Sequence, residues 1–149
     1  MDLPPLTAHL GYWLRFVSNA VSQAFARKLE DQGVTVAEWV VLRELWDEAA
    51  LAPSRLAERM GMTRGAISKL AERLIGKALV ARRDSPDDGR AHTLSLTDKG
   101  RALVPKLAAL ADRNDAEFFD HLAADQRAAL EGLLQDIVRR RGLKAVPTE

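Results

Sequence analysis

Between Met60 and Arg73 the chain concentrates side chains that can read a polyanion. Arg64, Ser68, Lys69, Glu72 and Arg73 fall on the polar side of a helical stripe whose apolar side is Ile67, Leu70, Ala71 and Leu74. Arginine and lysine donate to O6 and N7 of guanine, and Ser68 can bond a base edge or a phosphate. Gly65 leaves space for close backbone approach, and Thr63 can cap the helix. Met60-Gly61-Met62-Thr63 reads as a tight turn joining this helix to a shorter one before it. In helix-turn-helix docking, the start of the second helix enters the major groove. Taken alone, such a face is an ordinary solvated surface. The turn before it and the hairpin after it favour the groove reading.

The second group lies in that hairpin. Leu79–Arg83 and His92–Leu96 have strand character and flank the turn formers Asp84-Ser85-Pro86-Asp87-Asp88-Gly89. Arg90 at the tip can enter a narrow, A·T-rich minor groove, where negative potential is concentrated. Asp88 would repel phosphate, so its expected task is to pair with Arg90 or Arg82 and hold the tip's shape. A plain acidic turn is the alternative.

A third constellation is apolar. Trp13 and Trp39 fall on two successive helices, and Arg43 follows one turn after Trp39; ring surfaces beside one cation suit an aromatic anion. Core packing is the competing role for both tryptophans. Other chemistries lack their residues. The histidines His9, His92 and His121 lie in three separate elements with no metal-ligand spacing, so no metal or other cofactor is expected. There is no Walker A, G-x-S-x-G, G-x-G-x-x-G or H-E-x-x-H motif, and no convergent catalytic group. With no cysteine there is no disulfide or thiolate chemistry. An enzyme is not expected.

The elements that position these groups follow from periodicity. Leu10, Trp13, Leu14, Val17, Val21, Phe25 and Leu29 mark an amphipathic helix over about residues 8 to 31, ended by Gly33. Thr35 and Glu38 form a capping box for a helix carrying Trp39 to Leu42, Leu45 and Trp46. Pro53 opens the short helix, with Leu56, Ala57 and Met60 inward and Gly61 closing it. After the hairpin, Thr97 caps a long helix that Pro105 should bend, and a last helix spans about 124 to 141. It ends in Arg139-Arg140-Arg141, a favourable charge for a helix C-terminus.

The 149 residues suit one domain with a helical extension. From Ala52 to Thr97 there are nine basic and five acidic residues, a net of +4; the rest has thirteen and sixteen, a net of −3. A basic middle on acidic flanks fits a DNA-contacting module on a scaffold that makes no contact. The longest apolar run is five residues, Leu107 to Ala111, too short for a membrane span, and the N-terminus has no signal-peptide pattern; cytoplasm is the expected location.

Leu79-Val80-x-Arg82, Asp88-x-Arg90 and Leu96-Thr97-x-x-Gly100 together resemble the wing signature of the MarR family of multiple-antibiotic-resistance-type regulators. The resemblance extends along the whole chain. It implies a mainly α fold with a small β-hairpin wing (α+β), a winged helix-turn-helix domain over residues 35–97, and a dimerisation region from residues 1–34 and 98–149. It further implies a homodimer on a pseudo-palindromic operator in double-stranded DNA. Thr63, Arg64, Gly65, Ser68, Lys69 and Arg73 would meet the major groove, and Arg82, Asp88 and Arg90 would serve the wing. A small aromatic or phenolic effector near Trp13, Trp39 and Arg43 would release the DNA, making a repressor the expected role. Two departures stand out. The family's paired tip arginines are Gly89-Arg90 here, and Ala78 stands where the family has glycine after the recognition helix. Gly76 can take over the left-handed cap; otherwise Ala78 bears roughly 1 kcal/mol of strain. A winged-helix interaction module without DNA binding and a small enzyme using the helical cleft are the alternatives; Arg64 and Lys69 argue against the first.

Overall fold

The computed structural model describes residues 1–84 and 92–149. After a single 3-10 turn (Leu6–Ala8), the elements run α1 (Leu10–Glu30), α2 (Val36–Trp46), α3 (Pro53–Met60) and α4 (Arg64–Gly76). Then come β1 (Val80–Asp84), β2 (His92–Leu96), α5 (Asp98–Phe119) and α6 (Ala124–Arg141). The fold is thus mainly α with an antiparallel hairpin, in which Val80 faces Leu96 and Asp84 faces His92. Leu51 adds a short third rung, exchanging two backbone hydrogen bonds of 2.8 Å with Leu94. No helix of the described residues is long and apolar enough to cross a membrane.

Local chemistry sets the boundaries. The Thr35 hydroxyl accepts from the Glu38 N–H, and the Glu38 carboxylate accepts from the Thr35 N–H, which is the expected capping box. Thr63 and Thr97 cap α4 and α5 by accepting from Ala66 and Gly100. Helix ends repeat one device. At Gly33, Gly61 and Gly142 a left-handed residue lets two N–H groups fold back onto the last turn's carbonyls, a Schellman motif. The recognition helix α4 ends the same way, but the left-handed residue is Ala78, at φ 60°. Its N–H donates to Ile75 and that of Leu79 to Leu74, while Gly76 stays helical. Leu79 therefore belongs to the cap, and β1 begins one residue later than the strand pattern predicts. α5 is unbroken at Pro105.

The core lies where α2, α3 and α4 meet the hairpin and the first half of α5, with Leu42, Leu45, Leu56, Met60, Ile67, Leu74, Leu94 and Leu107 fully buried. At Gly100 an added Cβ would collide with the Leu79 carbonyl oxygen, so glycine there lets α5 start directly against the end of the recognition helix. Farther along, the buried Asn114 donates to the Val21 carbonyl and accepts from Lys28, pinning α5 to α1. α6 buries no residue at all.

Candidate nucleic-acid interface

α4 stands on its buried stripe Ile67, Leu70, Ala71 and Leu74 and presents Thr63, Arg64, Gly65, Ser68, Lys69, Glu72 and Arg73 to solvent. Helical geometry makes this polar face a consequence of the apolar one. Among the described residues, Arg64, Lys69 and Arg73 have no carboxylate within 4 Å, and all three are exposed. Gly65 has no atom within 4 Å of where a Cβ would sit, an open surface rather than a packing requirement. The Arg82 guanidinium on β1 pairs with the Glu72 carboxylate on α4. That ion pair ties the wing's first strand to the recognition helix and gives Arg82 a carboxylate partner on α4. Asp88 and Arg90 fall outside the described residues.

The far end of α4 is fastened more firmly than its start. Lys77, the residue after its last turn, donates through Nζ to the Gly33 carbonyl at 2.8 Å and to Glu38 Oε1 at 2.9 Å. Glu38 Oε2 has no hydrogen-bond partner of its own, although Lys77 Nζ is 2.9 Å from it. Burial pushes the Glu38 carboxyl up, but Lys77 and the Thr35 donors outweigh it and hold the group below its ordinary value. Lys99 of α5 adds a 3.1 Å bond to the Lys77 carbonyl, and the Thr97 hydroxyl donates to the Ala78 carbonyl at 2.7 Å. Sequence reading found Glu38 as half of a capping box; its ion pair with a residue 39 positions away carried no local signal.

The three proposed effector residues do not meet within one chain. Trp39 is half-buried, its ring edge-on to Phe25 with centroids 6.5 Å apart. Trp13 is exposed and donates its indole N–H to the Thr7 carbonyl at 3.0 Å. It precedes Phe25 by twelve residues on the same helix, about 18 Å of rise. Arg43 pairs with Asp47 at 3.0 Å in an exposed i,i+4 bridge. Trp46 has a different partner, Arg101, whose guanidinium lies 5.5 Å from the ring centroid. No cluster of three or more His, Asp or Glu among the described residues could hold a metal ion.

This geometry has counterparts in known proteins. A model of the MarR family matches residues 32–91. An HTH-type transcriptional repressor of Mycobacterium tuberculosis is 30% identical over 87% of this chain and 94% of its own length. The structure of a cysteine-to-serine mutant of MarR from E. coli, complexed with operator DNA, superposes with a TM-score of 0.79 at 27% identity. It covers 93% of this chain and 99% of that one. BpsR of Bordetella bronchiseptica, in a structure describing regulation of its DNA binding by 6-hydroxynicotinic acid, has a TM-score of 0.79 at 26% identity, with 91% and 97% covered. These relatives are regulators of transcription rather than enzymes. With a DNA-bound relative sharing its architecture over nearly the whole length, the chain belongs to the MarR family and is a transcriptional regulator of that type.

Proposed function

We propose that two copies of the chain form a cytoplasmic repressor that grips a pseudo-palindromic operator. The observation that carries this reading is the exposed α4 face, with Arg64, Lys69 and Arg73 in solvent on a helix whose start can enter a major groove. Residues 35–97 act as the reading head, with Thr63, Arg64, Gly65, Ser68, Lys69 and Arg73 at the major groove. Arg82 supports the wing through Glu72, Asp88 shapes its tip, and Arg90 enters the minor groove.

Residues 1–34 and 98–149 are assigned to dimerisation. Supporting this, large apolar side chains stand in solvent along both ends of the chain: Phe16 is 62% exposed on α1 and Leu133 is 65% exposed on α6. Exposed apolar side chains in such number mark an interface, and a two-fold pair of heads suits a palindrome. We further propose that a small aromatic or phenolic effector binds near Trp39 and Arg43 and weakens operator binding, Trp13 reaching that site only through dimerisation. The likeness to BpsR supports an effector of this chemistry.

The test is binding of the purified chain to its own upstream DNA in excess nonspecific competitor, with the stoichiometry measured. The reading expects two chains per duplex and retention at physiological salt. Binding that competitor abolishes would contradict it.

A further inference from the structure

Once α6 has left the body of the chain, the residues after it turn back to the helix-turn-helix. At the end of α3, the Gly61 and Met62 N–H groups fold back onto Glu58 and Ala57, which leaves the Met60 carbonyl without an intrahelical donor. The Val146 N–H fills that place at 3.1 Å. The tail passes so close to the turn that a Cβ on Gly61 would lie 2.5 Å from the Lys144 carbonyl oxygen and 2.8 Å from the Ala145 Cα. The Val146 side chain packs against the hydrophobic core of the head.

The consequence is a second attachment of the recognition helix. Its C-terminal end is joined to the scaffold where Leu79, Thr97 and Gly100 meet. The tail holds the turn just before its N-terminal end. α4 has 13 residues, so the two anchor points are separated by about 20 Å of helix. α4 is already seated within the head through Ile67 and Leu74; what the tail adds is a second tie between the head and the terminal helices, at the opposite end of α4 from the first.

We propose that residues 143–149 are a positioning strap that sets the orientation of α4 against the dimer scaffold, with Val146 as its anchor. The strap thereby sets the half-site spacing that a pair of heads accepts. This rests on the paired-head reading above. Each added base pair displaces a half-site by about 3.4 Å and rotates it, so fixed heads must discriminate strongly among spacings.

The test compares the full chain with a truncation after Gly142, with Val146→Asp and with the conservative Val146→Ile. The probe is a palindromic duplex selected on the full chain, with the half-sites moved together or apart by one and two base pairs. The full chain and Val146→Ile should lose about tenfold or more in affinity per base pair of displacement; truncation and Val146→Asp should lose about threefold or less. Hydrogen exchange on the full chain supplies a readout that needs no DNA: the Val146 amide should be protected, and protection should vanish in Val146→Asp. A truncation with the spacing profile of the full chain, or a Val146 amide exchanging at the free-peptide rate, overturns the strap. A full chain that binds a single half-site as tightly as a pair overturns the paired-head reading itself, and the strap's role in spacing with it.

Discussion

Replacing Ala78 by glycine should stabilise the protein, although it removes a side chain. Ala78 is the one non-glycine residue among those described with a left-handed backbone, at φ 60°, in a motif that uses glycine at three other helix ends. The strain on an L-residue there is about 1–2 kcal/mol, because Cβ crowds the following carbonyl. The methyl is exposed, so no packing is lost. The hydrogen bonds at this residue, from its N–H to Ile75 and to its carbonyl from Thr97, involve only backbone atoms of Ala78 and survive the change. Glycine gives back about 0.4–1 kcal/mol through the entropy of the unfolded chain. The net gain is therefore about 0.5–1 kcal/mol. Gly76 supplies the control. It is helical and has no atom within 4 Å of a built Cβ, so Gly76→Ala should also stabilise, by about 0.5–1 kcal/mol. Urea unfolding at one fixed protein concentration, with unchanged slope, measures both. Had Gly76 been the left-handed cap, Gly76→Ala would destabilise and Ala78→Gly would cost stability as an ordinary helix-end glycine. That pair of signs would refute this account of how the recognition helix ends.

Gly100→Ala should destabilise by about 2 kcal/mol or more, read from the same urea midpoints, because the Leu79 carbonyl it would strike is held by the Thr97 N–H. Glu38→Gln should cost about 1–2 kcal/mol at pH 7 by removing the charge opposite Lys77. The folded carboxyl lies below its ordinary value of 4.5, so its contribution is present above that value and lost as pH falls through the folded one. Unfolding midpoints of the two proteins should therefore converge as pH falls below the ordinary carboxyl value and on through the lower folded one; a gap that never narrows on acidification would sink the assignment. Arg90→Ala should weaken operator binding broadly, most on A·T-rich flanks, as seen by titrating duplexes that differ only there.

Much of the head was legible because its signals are local. Thr35 with Glu38, Pro53, Gly61, Thr63 and Thr97 each act within one turn of chain, and the stripe of α4 follows from helical spacing alone. His92–Leu96 and Ala124–Arg141 coincide with the structural elements for the same reason. What stayed hidden is long-range or carried by an atypical residue. Ala78 adopts a glycine conformation with nothing in its chemistry to announce it, so the strand pattern reached one residue too early. Leu51 joins the sheet as a single rung, too short to alternate. The pairs Glu38–Lys77 and Glu72–Arg82 join charges that are obvious singly but whose partners only the fold selects. The tail after Gly142 has no periodicity, yet Val146 reaches the core. Trp13 and Trp39 stand on adjoining helices, but which level of each helix faces the other follows from packing: Trp39 meets Phe25, twelve residues beyond Trp13.

The central claim is that α4 reads sequence through Arg64 and Lys69. The most direct measurement sequences the genomic fragments retained at physiological salt by the full chain, by Arg64→Ala and by Lys69→Ala. The account predicts one enriched pseudo-palindrome for the full chain, with half-site centres about 34 Å apart. Each variant should keep the palindrome but lose preference at its own positions in both half-sites, by about 1–3 kcal/mol where the contact is bidentate. Retention of an identical motif with identical positional preferences by both variants would contradict the claim.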